Sequence, residues 1–80
     1  MAMTFPEIDR VTIDPEIMGG KPCIRGMRVT VGMITGLVAS GTSFAEILEL
    51  YPYLEDADVR AALTYATWLT EERHLSLVGV

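Results

Sequence analysis

The stretch GGKPCIRGMRV, residues 19–29, constrains the fold of this 80-residue chain more than any other segment. It contains three glycines and one proline, and neither residue type is tolerated well inside a helix. Gly19 and Gly20 favour a turn with positive φ, Pro22 stiffens the chain after it, and Gly26 interrupts the strand pattern that follows. We therefore expect a β-hairpin whose structural residues are Gly19, Gly20, Pro22 and Gly26.

Apolar spacing predicts the elements on either side of that turn. IDRVTID at 8–14 and CIRGMRVTV at 23–31 are rich in Val, Ile and Thr and predict the two strands. VGMITGLVAS then has the spacing of one helical face and ends at Gly41, which suits a helix C-terminus. Ser43 and Glu46 form a capping box at the start of a second, short helix. EDADVRAALTYATWLTEERH predicts the longest helix.

These elements predict an α+β fold that is mostly α, with an N-terminal β-hairpin and then a three-helix, homeodomain-like bundle of helix-turn-helix outline. A chain of this length forms one domain with a small core. We expect a single domain over residues 1–80, with a flexible start at 1–7, the hairpin at 8–31, the helical bundle at 32–73 and an apolar tail at 74–80. The tail, LSLVGV and its neighbours, is expected to be a strand or a docked extension.

Composition excludes several classes of protein. The net charge of −5 argues against a general coat for nucleic acid, which binds through Lys and Arg. One cysteine and one histidine allow neither an internal disulfide nor a zinc site of the usual ligands. We see no secretory signal, no membrane span and no catalytic constellation. The expectation is a cytoplasmic bacterial or archaeal protein that is not an enzyme and needs no metal or cofactor.

The positive charges of residues 19–29 leave two interpretations open. A phosphate-binding P-loop is excluded, because Lys21 is followed by proline and a strand rather than by a helix. Arg25 and Arg28 are either structural donors to carbonyl groups at the base of the hairpin or part of a functional basic surface. The predicted helices carry no Lys or Arg from residue 29 to residue 59, so they offer little to DNA. Any DNA contact is expected from Arg10, Lys21, Arg25 and Arg28.

The long helix carries a second apolar stripe beside its core-facing one. Ala61, Tyr65, Trp68 and Leu75 repeat at heptad-like spacing, and a helix that is apolar on two faces must bury both. One small core covers one face, so the other is expected either to meet another chain, as in a homo-oligomer, or to pack under the tail. The predicted partner interface is Ala61, Tyr65, Trp68, Arg73, Leu75 and Leu77.

The motifs GKP, IRG, RVTV, YP and AALTYA, in this order over roughly residues 8–72, resemble the bacterial family called domain of unknown function 433. The family is similar to antitoxins of the VapB kind, which pair with a PIN-like ribonuclease toxin. The resemblance therefore implies a toxin-neutralising protein with homeodomain-like helices that also binds operator DNA. The chain departs from the family at Glu55, where Thr or Ser usually precedes the long helix. A DNA-binding regulator and a dimeric interaction module without a toxin remain alternatives, although the negative charge favours a protein partner.

Overall fold

The computed structural model describes residues 8–78, and the side chains of residues 8–70. Within that range the chain is a small, mostly helical α+β structure, as the sequence predicts. The predicted flexible start at 1–7 lies outside the described residues. The elements, in chain order, are β1 (Val11–Thr12), β2 (Cys23–Ile24), α1 (Val31–Ala39), α2 (Phe44–Leu50) and α3 (Asp56–Val78). A single turn of 3-10 helix, Ile8–Arg10, precedes β1, and a tight turn at Met18–Gly20 precedes β2.

The hairpin is shorter than the sequence predicts. β1 and β2 are antiparallel, with Val11 opposite Ile24. The prediction of one strand over 23–31 is wrong, because the chain reverses immediately after Ile24. Arg25 and Gly26 both have positive φ, 47° and 72°, and the Met27 N–H closes the turn on the Ile24 carbonyl at 2.8 Å. The apolar residues at 23–31 therefore belong to two arms of a tight turn.

A second reversal with positive φ connects the two strands. Met18, Gly19 and Gly20 have φ values of 51°, 66° and 83°. The Gly20 N–H donates to the Ile17 carbonyl at 3.0 Å. Left-handed backbone over consecutive residues is easily adopted by glycine and costly for most other residues, so the Gly-Gly pair suits this turn.

Local hydrogen bonds fix the ends of α1 and α2. The Thr30 side chain caps α1 by accepting the backbone N–H three residues on, at 3.0 Å. α1 stops at a Schellman motif in which Gly41 has φ 95° and donates to the Val38 carbonyl at 3.0 Å. Ser43 and Glu46 form the predicted capping box of α2, with bonds of 2.8 and 3.1 Å.

The hydrophobic core lies between the hairpin and the three helices. α3 packs against α1, α2, β1 and the first 3-10 turn. The buried apolar cluster consists of Ile24, Val29, Val31, Ile34, Ile47, Leu54, Val59 and Ala62.

The structure corrects two expectations about α3. Ala61, expected at a partner interface, is completely buried, because the first turns of α3 are enclosed on more than one side. Ala61 is therefore unavailable to a partner in the folded chain. The helix also continues to Val78, so residues 74–78 of the predicted tail are helical rather than a strand. The last two residues lie outside the described range.

Candidate functional site

A buried carboxylate binds the hairpin to the start of α3. Asp58 is in the first turn of α3, and its side chain is 0% exposed. Oδ1 accepts hydrogen bonds from Arg10 Nη1 at 2.9 Å and Arg25 Nε at 3.0 Å. Oδ2 accepts one from Arg25 Nη2 at 2.7 Å. A planar guanidinium that donates twice to one carboxylate is the strong, directional form of this pairing.

The same carboxylate also replaces a missing helix cap. The Glu55 N–H, just before α3, donates to Asp58 Oδ2 at 2.8 Å. The Glu55 carboxylate binds Arg10 Nη1 at 2.8 Å. α3 therefore begins at Asp56 although Glu55 is a poor N-cap residue, since Asp58 supplies the reciprocal half of a capping box. We call Arg10, Arg25, Glu55 and Asp58 the Asp58 cluster.

The surroundings of Asp58 strongly favour its charged form. Burial raises the pKa of the carboxyl, but the hydrogen bonds from Arg25, the Glu55 N–H and Arg10 outweigh burial and lower the pKa to about 2. The pKa of Arg10 is raised, mainly by its bond to Glu55 and then by its bond to Asp58. The pKa of Arg25 is raised chiefly by its bond to Asp58. All three groups are therefore charged at neutral pH.

The Asp58 cluster is suited to holding segments together rather than to chemistry. Its carboxylate oxygens accept four hydrogen bonds, which leaves little capacity for a proton or a metal ion. Arg25 Nη2 also donates to the Tyr53 carbonyl at 3.2 Å and so reaches the loop between α2 and α3. Within residues 8–70, no group of three or more His, Cys, Asp or Glu side chains is placed to hold a metal.

The structure separates the four residues predicted to contact DNA. Arg10 and Arg25 converge on Asp58, where acidic partners neutralise their charge. Lys21 and Arg28 are exposed, and Arg28 Nη1 lies 3.8 Å from the Met18 sulfur. Of the two interpretations of the basic segment, the structural one accounts for Arg25, which bonds a carbonyl as well as a carboxylate.

A second candidate site lies on α3 beyond the core. The Tyr65 and Trp68 rings are in contact, with centroids 5.9 Å apart, and Tyr65 is half-buried against the core. Trp68 is 47% exposed and Leu69 is exposed beside it. We call Tyr65, Trp68 and Leu69 the distal α3 surface. The side chains of three further residues of the predicted interface lie outside the described range: Arg73, Leu75 and Leu77.

The residue that sequence reasoning missed is Asp58 as a buried centre. An Asp near a helix N-terminus is ordinarily explained by its favourable interaction with the helix dipole, which requires no buried partner. The one available signal was indirect. Glu55 is a poor N-cap, and an acid three positions later can accept its N–H. Burial of that acid depends on arginines that are distant in sequence, and no local pattern reveals them.

None of the helices in the described part of the chain has the length and apolar character needed to span a bilayer.

The free thiol of Cys23 is buried in the hairpin, where its Sγ lies 3.3 Å from the Lys21 carbonyl oxygen. A buried thiol in such surroundings acts as a small apolar side chain.

A two-stranded antiparallel sheet that a buried carboxylate holds against three helices defines the protein as a small, mostly helical α+β module. The chain belongs to the family described as "Protein of unknown function (DUF433)", which matches residues 11–66. The family resemblance of the sequence motifs is thereby confirmed.

Two relatives show how this module occurs elsewhere. The chain is 43% identical over 56 residues to "Uncharacterized protein y4eO" of Sinorhizobium fredii (strain NBRC 101917 / NGR234), a match covering 70% of this chain and 25% of that protein. The chain thus spans about a quarter of that curated relative's length. The crystal structure of a DUF433 member protein from Anabaena variabilis ATCC 29413 superimposes with a TM-score of 0.72 at 28% identity. That match covers 86% of this chain and 68% of that one.

Proposed function

We propose that this protein is an antitoxin-like binding protein that neutralises a PIN-like ribonuclease, with the distal α3 surface as one of its contacts. The observation that carries the proposal is the exposed pair of large apolar side chains, Trp68 and Leu69, on a helix that extends beyond its own core. Trp and Tyr are favoured anchors of protein interfaces, since they bury much area with few rotatable bonds. The antitoxin role itself is what the resemblance of the sequence motifs to VapB-like antitoxins implies.

The length of α3 supports a partner for this surface. A helix of 23 residues is about 34 Å long at a rise of 1.5 Å per residue. Its buried residues end at Ala62, and all side chains from 67 to 70 are exposed. A helical segment without tertiary packing is marginal in water. We therefore propose that a second protein chain, either the nuclease or another copy of this chain, packs on the distal part of α3.

The charge distribution also favours a protein partner. The chain has a net charge of −5, and Arg10, Arg25 and Arg60 each form an ion pair with carboxylates of the same chain. A ribonuclease needs a positive surface to attract RNA phosphates. An acidic protein is complementary to such a surface, which speeds association and favours this partner over others. The function proposed is binding rather than catalysis, since Asp58, the buried carboxylate among the side chains of residues 8–70, is already bound by two guanidinium groups.

Homeodomain-like packing and operator binding form a second, weaker part of the proposal. α1 and α2 are separated by four residues, 40–43, and both pack on α3, the general outline of a helix-turn-helix. Arg25 of the predicted DNA-contacting set is exposed too, but it is bound to Asp58, so Lys21 and Arg28 are the exposed members that form no ion pair with a described carboxylate. Two such charges give limited affinity for DNA, so we place operator binding after protein binding.

Co-expression with the product of the adjacent gene tests the proposal, which expects that gene to encode a PIN-like nuclease. We expect the two proteins to co-purify and the chain to restore growth of cells that express the nuclease. A nuclease that neither co-purifies with the chain nor is inhibited by it would contradict the antitoxin role. In that case, an operator-sized DNA fragment and light scattering would distinguish the two alternatives, a DNA-binding regulator and a dimeric module without a toxin.

A further inference from the structure

The outer side of α2 and the loop after it expose two large apolar side chains among acids. Leu50, the last residue of α2, is 60% exposed, and Tyr53 in the loop is 55% exposed. Glu46 and Glu49 are exposed on the same short helix. Glu46, Glu49 and Leu50 follow the spacing of one face of α2, and Tyr53 is exposed in the loop three residues after the helix ends. We call Glu46, Glu49, Leu50 and Tyr53 the α2 surface.

The negative charge of this surface is not balanced locally. From residue 29 to residue 59 the sequence contains no Lys or Arg. The neighbouring acids at 55 and 56 are paired with Arg10 and Arg60, at 2.8 and 2.7 Å. Glu49 has no ion-pair partner in the described part of the chain, and Glu46 only caps its own helix. A cationic partner is therefore the complementary occupant of this surface.

The loop that carries Tyr53 is fixed before any partner arrives. The Tyr53 carbonyl accepts a hydrogen bond from Arg25 of the Asp58 cluster at 3.2 Å. The Tyr51 and Tyr53 rings meet edge to face with centroids 6.1 Å apart. Leu54 is buried in the core, and its N–H donates to the Tyr51 carbonyl at 2.9 Å. A side chain on a loop whose backbone is held in this way loses less entropy on binding than one on an unbonded loop, which makes Tyr53 a suitable interface anchor.

We propose that the α2 surface imitates single-stranded RNA and occupies the RNA-binding groove of the nuclease partner. The carboxylates of Glu46 and Glu49 take the place of phosphates, which such a groove binds through Lys and Arg. The Tyr53 ring takes the place of a base, which grooves of this kind bind by stacking on aromatic rings or guanidinium groups. Leu50 adds apolar area between them. The inference rests on the proposed function, since it specifies how that nuclease is bound and blocked.

A competition experiment with the full chain tests this inference. A catalytically inactive variant of the adjacent-gene nuclease is bound to a short fluorescent RNA, and displacement of the RNA by the chain is followed by anisotropy. We expect the wild-type chain to displace the RNA, and Tyr53→Ala, Glu49→Gln and Leu50→Ala each to weaken displacement by about tenfold. Ile13→Ala and Glu16→Gln are matched controls, since Ile13 is 62% exposed and Glu16 is exposed in the loop after β1. Circular dichroism verifies that each variant is folded.

The outcomes separate the inference from the function on which it rests. A wild-type chain that does not bind the nuclease at all overturns the proposed function. A chain that binds the nuclease while the RNA remains bound overturns the RNA imitation and leaves the antitoxin role standing. The RNA imitation is also overturned, and the antitoxin role again left standing, if the α2 variants displace RNA as well as the two control variants do.

Discussion

Arg25 and Asp58, which are 33 positions apart, form a two-point ion pair with Nε–Oδ1 and Nη2–Oδ2 distances of 3.0 and 2.7 Å. Arg25 is in the tight turn after β2 and Asp58 is in the first turn of α3, so this pair fixes the hairpin to the helices. Through the Tyr53 carbonyl, Arg25 also holds the loop that carries the exposed tyrosine. One guanidinium thus links the fold to the α2 surface.

Removal of the Asp58 carboxylate should destabilise the fold severely. For Asp58→Ala we expect a loss of about 3 kcal/mol in the free energy of unfolding, because two guanidinium groups lose their shared partner. Asp56→Ala is the matched control in the same helical turn. Its carboxylate forms an exposed pair with Arg60, and its removal should cost less than about 1 kcal/mol. Urea unfolding followed by circular dichroism measures both, and equal losses would contradict the central role of Asp58.

Acid should weaken the fold through the same group. The pKa of Asp58 is about 2 in the folded chain against an ordinary value of 3.8, so the unfolded chain takes up the proton first as the pH falls. The stabilisation, about 2 kcal/mol, is complete above about pH 5 and is lost progressively between about pH 4 and pH 2. Urea midpoints at pH 6 and pH 2.5 measure the loss. Asp58→Asn should show a smaller difference in stability between the two pH values. Some difference should remain, because hydrogen bonds from the Ser43 N–H and hydroxyl also lower the pKa of Glu46.

Two glycine-to-alanine substitutions should change the stability of the fold in opposite directions. Gly26 has φ 72° and no neighbour within 4 Å of an added Cβ, so Gly26→Ala should destabilise by about 1 kcal/mol through backbone strain alone. Gly36 lies inside α1 and likewise has open space around an added Cβ. Gly36→Ala should therefore stabilise by about 0.5–1 kcal/mol, since alanine is the better helix former. Thermal unfolding of the two variants and the wild type measures these effects. Stability changes of the same sign would contradict the backbone conformations given for Gly26 and Gly36.

The distal α3 surface should control self-association. We expect the wild-type chain to be a dimer or a larger oligomer, and Trp68→Ala to weaken that association by about 2 kcal/mol. Leu50→Ala is the control, because it removes a similarly exposed apolar side chain from α2. Light scattering at micromolar to millimolar concentrations measures the oligomeric state. A strictly monomeric wild-type chain would remove the argument for a second copy on α3.

The end of the chain should contribute to neutralisation of the nuclease. α3 continues through residue 78, so residues 74–78 extend the helix that carries Trp68. We expect deletion of residues 74–80 to leave the chain folded and to reduce growth rescue, with Arg73→Ala having a smaller effect in the same direction through loss of a bidentate pairing with a nuclease carboxylate. Rescue that survives both changes would place neutralisation elsewhere, on the α2 surface or at Tyr65 and Trp68.

Local patterns in the sequence determined most of the secondary structure. The Ser43–Glu46 box, the glycine at 41 and the apolar spacing of residues 31–40 were enough to place α1 and α2, because caps and helical faces depend on residues within one or two turns of one another. The glycines of residues 19–29 likewise indicated turns. The mostly helical α+β class and the family resemblance followed from the same local signals.

The tertiary structure alone decided what those elements do to one another. The spacing of Ala61, Tyr65 and Trp68 could not reveal that Ala61 is enclosed while Trp68 is exposed, since periodicity does not show where neighbouring elements end. Nor could it show that the arginines at 10 and 25 serve an acid at 58 rather than DNA. A charged side chain takes its partner from whatever lies within about 4 Å in the folded chain. That distance is set by packing between remote segments, and no local pattern in the sequence contains it.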